Sequence, residues 1–173
     1  MAHVFEAAPT GRAKCRGCGL LIAKGEIRFG EHVPNPFGEG DATLWFHPRC
    51  AAYRRPEAIL ESLADAPEAE RTELQRIADI GVAHKRVPRV AGAERSASGK
   101  AACRHCKQPI EKGSWRIKLV HYEDGRFVPG GFLHLGCRPE YFEGADVTDA
   151  TLLFSGELPE DQRADLERAL RAG

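Results

Sequence analysis

The chain has 173 residues, six cysteines, and 25 Lys and Arg against 25 Asp and Glu, for a formal net charge of zero. That length accommodates one domain or two small ones, and the balanced charge speaks against a uniformly basic nucleic-acid binder. No run approaches the roughly 18 apolar residues that span a bilayer. Met1-Ala2-His3-Val4-Phe5 lacks the charged, apolar, small-residue order of a secretory signal. A reducing compartment is therefore expected: cytoplasm or nucleoid in a bacterium, nucleus in a eukaryote, and not a secreted location.

In chain order, Gly11-Arg12-Ala13-Lys14 runs into Cys15-x2-Cys18, and Trp45-Phe46 runs into His47-x2-Cys50. Between the two pairs, Val33-Pro34-Asn35-Pro36-Phe37-Gly38 is too rich in proline for a central strand and is read as a loop. Pro67-Glu68 opens a helix, since proline at a first turn gives up only a donor the helix leaves unpaired and acids suit the dipole. Leu74, Ile77 and Ile80 follow at helical spacing. Residues 84–98 lack an apolar period, carry basic charge and read as a flexible linker. Gly99-Lys100-Ala101 then leads to Cys103-x2-Cys106. Trp115 to Glu123 alternates into Asp124-Gly125, a two-residue hairpin signal, with Arg126 to His134 as the return strand. His134-x2-Cys137 and a second helix after Pro159-Glu160, with Leu166, Ala169 and Leu170, complete the chain.

The order Cys-x2-Cys, then His-x2-Cys, thus occurs twice, with 28 and 27 residues between the pairs, and uses all six cysteines. Three thiols and one imidazole are a usual ligand set for a closed, tetrahedral structural zinc site. A three-disulfide framework or redox Cys-x2-Cys motifs are the alternatives, and a reducing compartment disfavours the first. Catalytic zinc is disfavoured because such sites keep an open position and these sets are full. The reading is two structural zinc ions: Cys15, Cys18, His47 and Cys50 hold one, and Cys103, Cys106, His134 and Cys137 hold the other.

A shift of 88 residues aligns the copies beyond the ligands: Cys15-Arg-Gly-Cys18, Ile22, Lys24-Gly25 and Arg28 fall on Cys103-Arg-His-Cys106, Ile110, Lys112-Gly113 and Arg116. The expected fold is therefore small α+β and zinc-stabilised: two tandem modules, each an antiparallel hairpin or sheet around a Cys3His site, closed by C-terminal helices. The first spans 1–83, the linker 84–98 and the second 99–173. Modules of ~85 residues bury little core, so metal must replace part of it and the apo chain should be largely unfolded. Charge is segregated: residues 83–100 hold five basic and one acidic side chain, and residues 138–173 four and nine.

These residues resemble the PARP-type zinc finger, the DNA-break-sensing module of nuclear poly(ADP-ribose) polymerases and of one eukaryotic DNA ligase. Gly11-Arg12-Ala13-Lys14-Cys15, the ligand order and spacing, Ile27-Arg28, Trp45-Phe46-His47 and the closing Pro-Glu helix carry the resemblance. The resemblance implies phosphate contacts from Arg12 and Arg28, and from Lys100 and Arg116 in the second copy. Guanidinium groups bind phosphate bidentately, and a metal-held strand fixes their direction. Lys14, Arg16, Arg104 and Lys118 join them by proximity alone, with ordinary surface charge as the other reading. The resemblance also implies apolar residues that stack on base pairs exposed at a break. Phe37 beside Pro36, and Phe127 with Val128, take that role here, with buried packing as the other reading for Phe127.

A chain of this length is expected to hold neither a transferase domain nor a ligase core, and no motif for another reaction is present. The function implied is a non-catalytic, monomeric DNA-binding protein for nicked, gapped or broken duplex, working with DNA-repair proteins and not at membranes. The alternative from another class is a protein–protein adaptor that keeps the zinc scaffold and not the DNA binding, motivated by the neutral total charge and acidic helices.

Overall fold

A computed structural model of the chain describes residues 2–173. Contacts divide it into two compact units, with the main boundary between Pro88 and Arg89.

The first unit opens with a three-stranded antiparallel sheet in the order β1 (Val4–Ala7), β2 (Ile27–Pro34), β3 (Asp41–Phe46). Phe29 and Phe46 face each other in register and are fully buried. β2 takes in two residues of the expected loop, Val33 and Pro34: Pro34 ends it at the sheet margin, where proline withholds no ladder donor that the strand needs. Gly30 sits opposite Trp45, and a β-carbon there would come 2.7 Å from the indole ring. Glycine at this point lets Trp45 lie flat across the sheet. Three helices follow: α1 (Pro48–Arg54), α2 (Pro56–Glu61) and α3 (Glu68–Ala83). Proline at the start of α1 and α2, and Pro67 just before α3, set each entry. Leu74 and Ile77 of α3 are buried as the helical spacing requires, together with Ala78, while Ile80 is half-buried. Glu31 is buried on β2 and takes three hydrogen bonds from Arg55, at 2.7–3.0 Å.

The second unit repeats this plan: β4 (Val90–Arg95), β5 (Trp115–Glu123) and β6 (Arg126–His134) in that order, then α4 (Arg138–Tyr141), α5 (Thr148–Leu153) and α6 (Glu160–Arg171). Asp124 and Gly125 both take positive φ, 49° and 77°, in the two-residue turn between β5 and β6.

One expectation is corrected. Residues 84–98 are not a flexible linker: Val87–Arg89 form a 3-10 turn and Val90–Arg95 form β4, antiparallel to β5. The physical reason is burial. Ala93 joins Trp115, Leu152, Leu166 and Leu170 in the core of this unit, and Val90 is buried as well. A register shift between Val90 and Ala93 breaks the strict alternation that a sequence reading relies on. Gly92, with φ +101°, passes so close to the Phe154 carbonyl that no side chain fits.

Candidate functional site: two metal centres and their cationic surroundings

Each Cys-x2-Cys knuckle is a tight turn closed by its own backbone. Cys15 N–H donates to Leu20 and Gly19 N–H to Cys15, and Cys103 and Lys107 repeat both bonds with Gln108 and Cys103. The residue in the left-handed region is Gly19 in the first knuckle, at φ +79°, and Lys107 in the second, at φ +66°. His47 caps α1 and Cys50 lies in its first turn, so the helix start delivers the far pair of ligands to the knuckle. In the second unit a 3-10 turn, Leu135–Cys137, does the same.

The donor atoms converge: in each set of four they all lie within 4.8 Å of one another. His47 Nδ1 is 3.4 Å from Cys18 Sγ and 3.9 Å from Cys50 Sγ, and His134 Nδ1 is 3.3 Å from Cys106 Sγ and 3.8 Å from Cys137 Sγ. Ordinary zinc–sulfur and zinc–nitrogen bond lengths in a tetrahedron put sulfur and nitrogen about 3.5 Å apart. The chemistry of the set also calls for a cation. Hydrogen bonds from Cys18 and Cys50 draw the Cys15 thiol down to about 3, while Cys15 and Cys18 push Cys50 far up, so the sulfurs cannot all ionise unaided. In the second set, burial and then Cys103 and Cys106 push Cys137 up to about 12. The two clusters therefore hold two structural zinc ions. Bound zinc supplies a fixed tetrahedral crosslink between knuckle and helix start, and it leaves no open position for chemistry.

Backbone donors orient the sulfurs. Gly17 and His47 N–H both point at Cys15 Sγ at 3.3 Å, and His134 N–H points at Cys103 Sγ at 3.4 Å. With Nδ1 toward the sulfurs, His134 Nε2 donates to the Pro109 carbonyl at 3.0 Å, which fixes the ring. Arg54 is only 5% exposed and sits beneath the first knuckle, donating to the carbonyls of Gly17 at 3.3 Å and Pro88 at 3.4 Å. Burial lowers its guanidinium to about 10, and the Cys50, Cys15 and Cys18 sulfurs oppose that fall, so it stays charged near neutrality.

The cations singled out in the sequence fall into two groups. Arg12, Lys14, Arg16, Lys100 and Arg104 are exposed around the knuckles, and Lys118 is half-buried on β5. Arg104 is additionally tied down, its Nε donating to the Gly130 carbonyl at 2.9 Å. Arg28 and Arg116 differ: each is 8% exposed. Arg28 donates to Glu6 through Nε at 3.2 Å and Nη2 at 2.5 Å, and its guanidinium carbon lies 3.5 Å from the centre of the Trp45 ring. Arg116 repeats the arrangement with Glu94 and with Phe132 at 3.6 Å. Glu6 and Glu94 pair in register with the two arginines across β1–β2 and β4–β5.

The apolar candidates also separate. Phe37 stands 79% exposed in the loop between β2 and β3, its N–H held by Asn35 Oδ1 at 3.0 Å. Phe127 and Val128 are not in a loop. Both lie on β6, half-buried, with the Phe127 ring 5.3 Å from that of Tyr122. Leu20 and Leu21, which sequence reasoning passed over, are exposed on the first knuckle.

Residues 6–86 match the family described as "Poly(ADP-ribose) polymerase and DNA-Ligase Zn-finger region". This segment is a PARP-type zinc finger. The chain is 31% identical over 167 residues to chicken poly [ADP-ribose] polymerase 1, an alignment taking in 79% of this chain and 16% of that protein. It is 29% identical over 139 residues to the Drosophila melanogaster poly [ADP-ribose] polymerase, covering 71% and 14%. With the Sarcophaga peregrina polymerase the figures are 27% over 190 residues, covering 95% of this chain, and so both units, and 19% of the relative. The chain spans less than a fifth of the length of these curated relatives, and the matched family is a zinc-finger region rather than a catalytic domain.

Within each finger, the acidic partners Glu6 and Glu94 and the stacking platforms Trp45 and Phe132 are the features that sequence reasoning missed. A signal existed. The 88-residue shift that aligns Cys15 with Cys103 also aligns Glu6 with Glu94, and it extends the repeat into the stretch taken as linker. Among the described residues no helix is long and apolar enough to cross a membrane.

Proposed function

We propose that the protein binds DNA without catalysing a reaction on it, and that it prefers nicked, gapped or broken duplex to intact duplex. The observation that carries this reading is Phe37. An aromatic ring 79% exposed in the loop between β2 and β3 presents a face on which a base can stack. The face it suits is that of a base pair, which intact B-DNA hides and an interruption uncovers. Exposed Arg12, Lys14 and Arg16 supply phosphate contacts on the same finger, and Lys100 and Arg104 on the other. Arg28 and Arg116 act by direction more than by charge. Each guanidinium is already oriented by a carboxylate and an aromatic face, so a phosphate reaching its exposed edge meets a donor that loses little freedom. Phosphate contacts position and do not read sequence, so recognition is by shape. The same reading has the protein act as a monomer and work beside DNA-repair proteins.

Fluorescence anisotropy on nicked, gapped, blunt and intact duplexes at matched salt tests the proposal. The expected result is tighter binding to interrupted duplex, with log K falling against log salt at a slope of about −4 to −5 if four to six phosphates are engaged. Equal affinity for intact and interrupted duplex refutes break recognition. Absence of DNA binding by the zinc-loaded chain refutes the whole reading and leaves the adaptor.

A further inference from the structure

The two metal centres share a ligand set and differ in its burial and in the charges around it. In the first, Cys15 and Cys50 are buried and Cys18 is half-buried; in the second, Cys106 is exposed and only Cys103 is buried. Beneath the first knuckle lies the buried guanidinium of Arg54, hydrogen-bonded to Gly17 between the two cysteines. Four residues past the last ligand, where Arg54 follows Cys50, the second unit has Tyr141 after Cys137, buried and without charge. The nearby Arg138 is directed elsewhere, to the carbonyls of Leu135 at 2.7 Å and Leu170 at 2.5 Å. What ties the second knuckle to its helix is instead His105 Nε2 against Glu140 at 2.8 Å, an exposed pair that water screens. The second knuckle also places Lys107 in the left-handed region where the first uses Gly19, a conformation that disfavours a side-chain-bearing residue.

A zinc ion with three thiolates and one imidazole carries a net charge of −1. In a low-dielectric surrounding that charge needs a counter-ion, and a surrounding residue that meets it alters metal affinity by roughly 10–100-fold. We propose that the two zinc ions are held unequally: the first is a sealed structural ion that Arg54 neutralises, and the second is a readily exchanged ion. Loss of zinc then unfolds the second unit alone and leaves a one-finger protein, which makes the second finger responsive to zinc supply. Arg54 is a positioning and charge-balancing residue in this scheme, not a ligand.

The test uses the full, zinc-loaded chain and EDTA as the competing chelator. Native mass spectrometry follows metal content, and N-ethylmaleimide labelling with peptide mapping shows which thiols open. A species with one zinc is expected to accumulate, labelled at Cys103, Cys106 and Cys137 while Cys15, Cys18 and Cys50 stay protected. Arg54→Gln is expected to release the first zinc about 10–100-fold more readily, closing the gap, and Arg54→Lys, which keeps the charge, to retain most of it. Simultaneous loss of both ions, or earlier labelling of Cys15, Cys18 and Cys50, overturns the inequality. Equal release from Arg54→Gln and the parent chain overturns the role of Arg54. If Arg54→Gln does not fold even in excess zinc, the Arg54→Lys chain decides: release of its first zinc as early as its second overturns the charge argument.

Discussion

Replacing Phe37 by alanine separates recognition from folding, because the exposure of the ring sets the sign of each effect. With 79% of Phe37 in solvent, its removal takes away almost no packing, and exposed substitutions of this kind change stability by about 0.5 kcal/mol or less. Base stacking by an aromatic side chain is worth ~1–3 kcal/mol, which at ~1.4 kcal/mol per tenfold means roughly 5- to 150-fold weaker binding. The loss should appear only where a base-pair face is open. Anisotropy titrations of the parent and the F37A chain on gapped and intact duplexes, at one salt concentration, read that difference, and thermal unfolding reads stability in parallel. Phe127→Ala is the internal contrast. Its ring packs against Tyr122 on the sheet, an aromatic pair worth about 0.5–1.5 kcal/mol beyond the area it buries, so this variant should melt earlier whether or not it binds DNA. The reasoning is refuted if F37A loses equal affinity for gapped and intact duplex, or if it melts several degrees below the parent chain.

Gly92→Ala should selectively destabilise the second unit by a few kcal/mol, since φ is +101° there and the new methyl group falls on the Phe154 carbonyl; an unchanged melting profile would restore the flexible-linker reading. Arg55→Met strands the buried Glu31 carboxylate that Arg55 grips with three hydrogen bonds, and breaking such a pair costs about 3–5 kcal/mol, measurable as a lower urea midpoint for the first unit. Complete removal of zinc with a strong chelator should abolish the near-ultraviolet circular dichroism of both units and restore it on adding zinc back, because each small core depends on its metal. Retained tertiary signal in the fully metal-free chain would show that the cores stand without it.

The parts legible in the sequence are those governed by local chemistry. Cysteine and histidine at Cys-x2-Cys and His-x2-Cys spacing state their ligand role directly, and the two clusters form from those eight residues. Asp124-Gly125 names its own turn type through the positive φ it tolerates, and Pro67-Glu68 and Pro159-Glu160 mark helix starts that the structure places at Glu68 and Glu160. Strand β4 was not legible. It is six residues long, is interrupted by a register shift, and owes its place to a core shared with Leu152 of α5 and with Leu166 and Leu170 of α6, far later in the chain.

The surroundings of the arginines show the same division at the site. Sequence singled out Arg28 and Arg116, but their partners Glu6 and Glu94 lie 22 residues upstream and meet them only when strands pair. The same holds for Phe37 and Phe127: both read as apolar residues between ligand pairs, and only the fold left one in water and packed the other on Tyr122. By itself the sequence determined the metal, its ligands, the doubled architecture and the closing helices, because ligand type, turn chemistry and helical period act over a few residues. Tertiary structure alone decided which cations face outward, which are held by carboxylates, and how deeply each zinc set is buried. Exposure and charge pairing arise from residues distant in the chain, and no short window of sequence contains them.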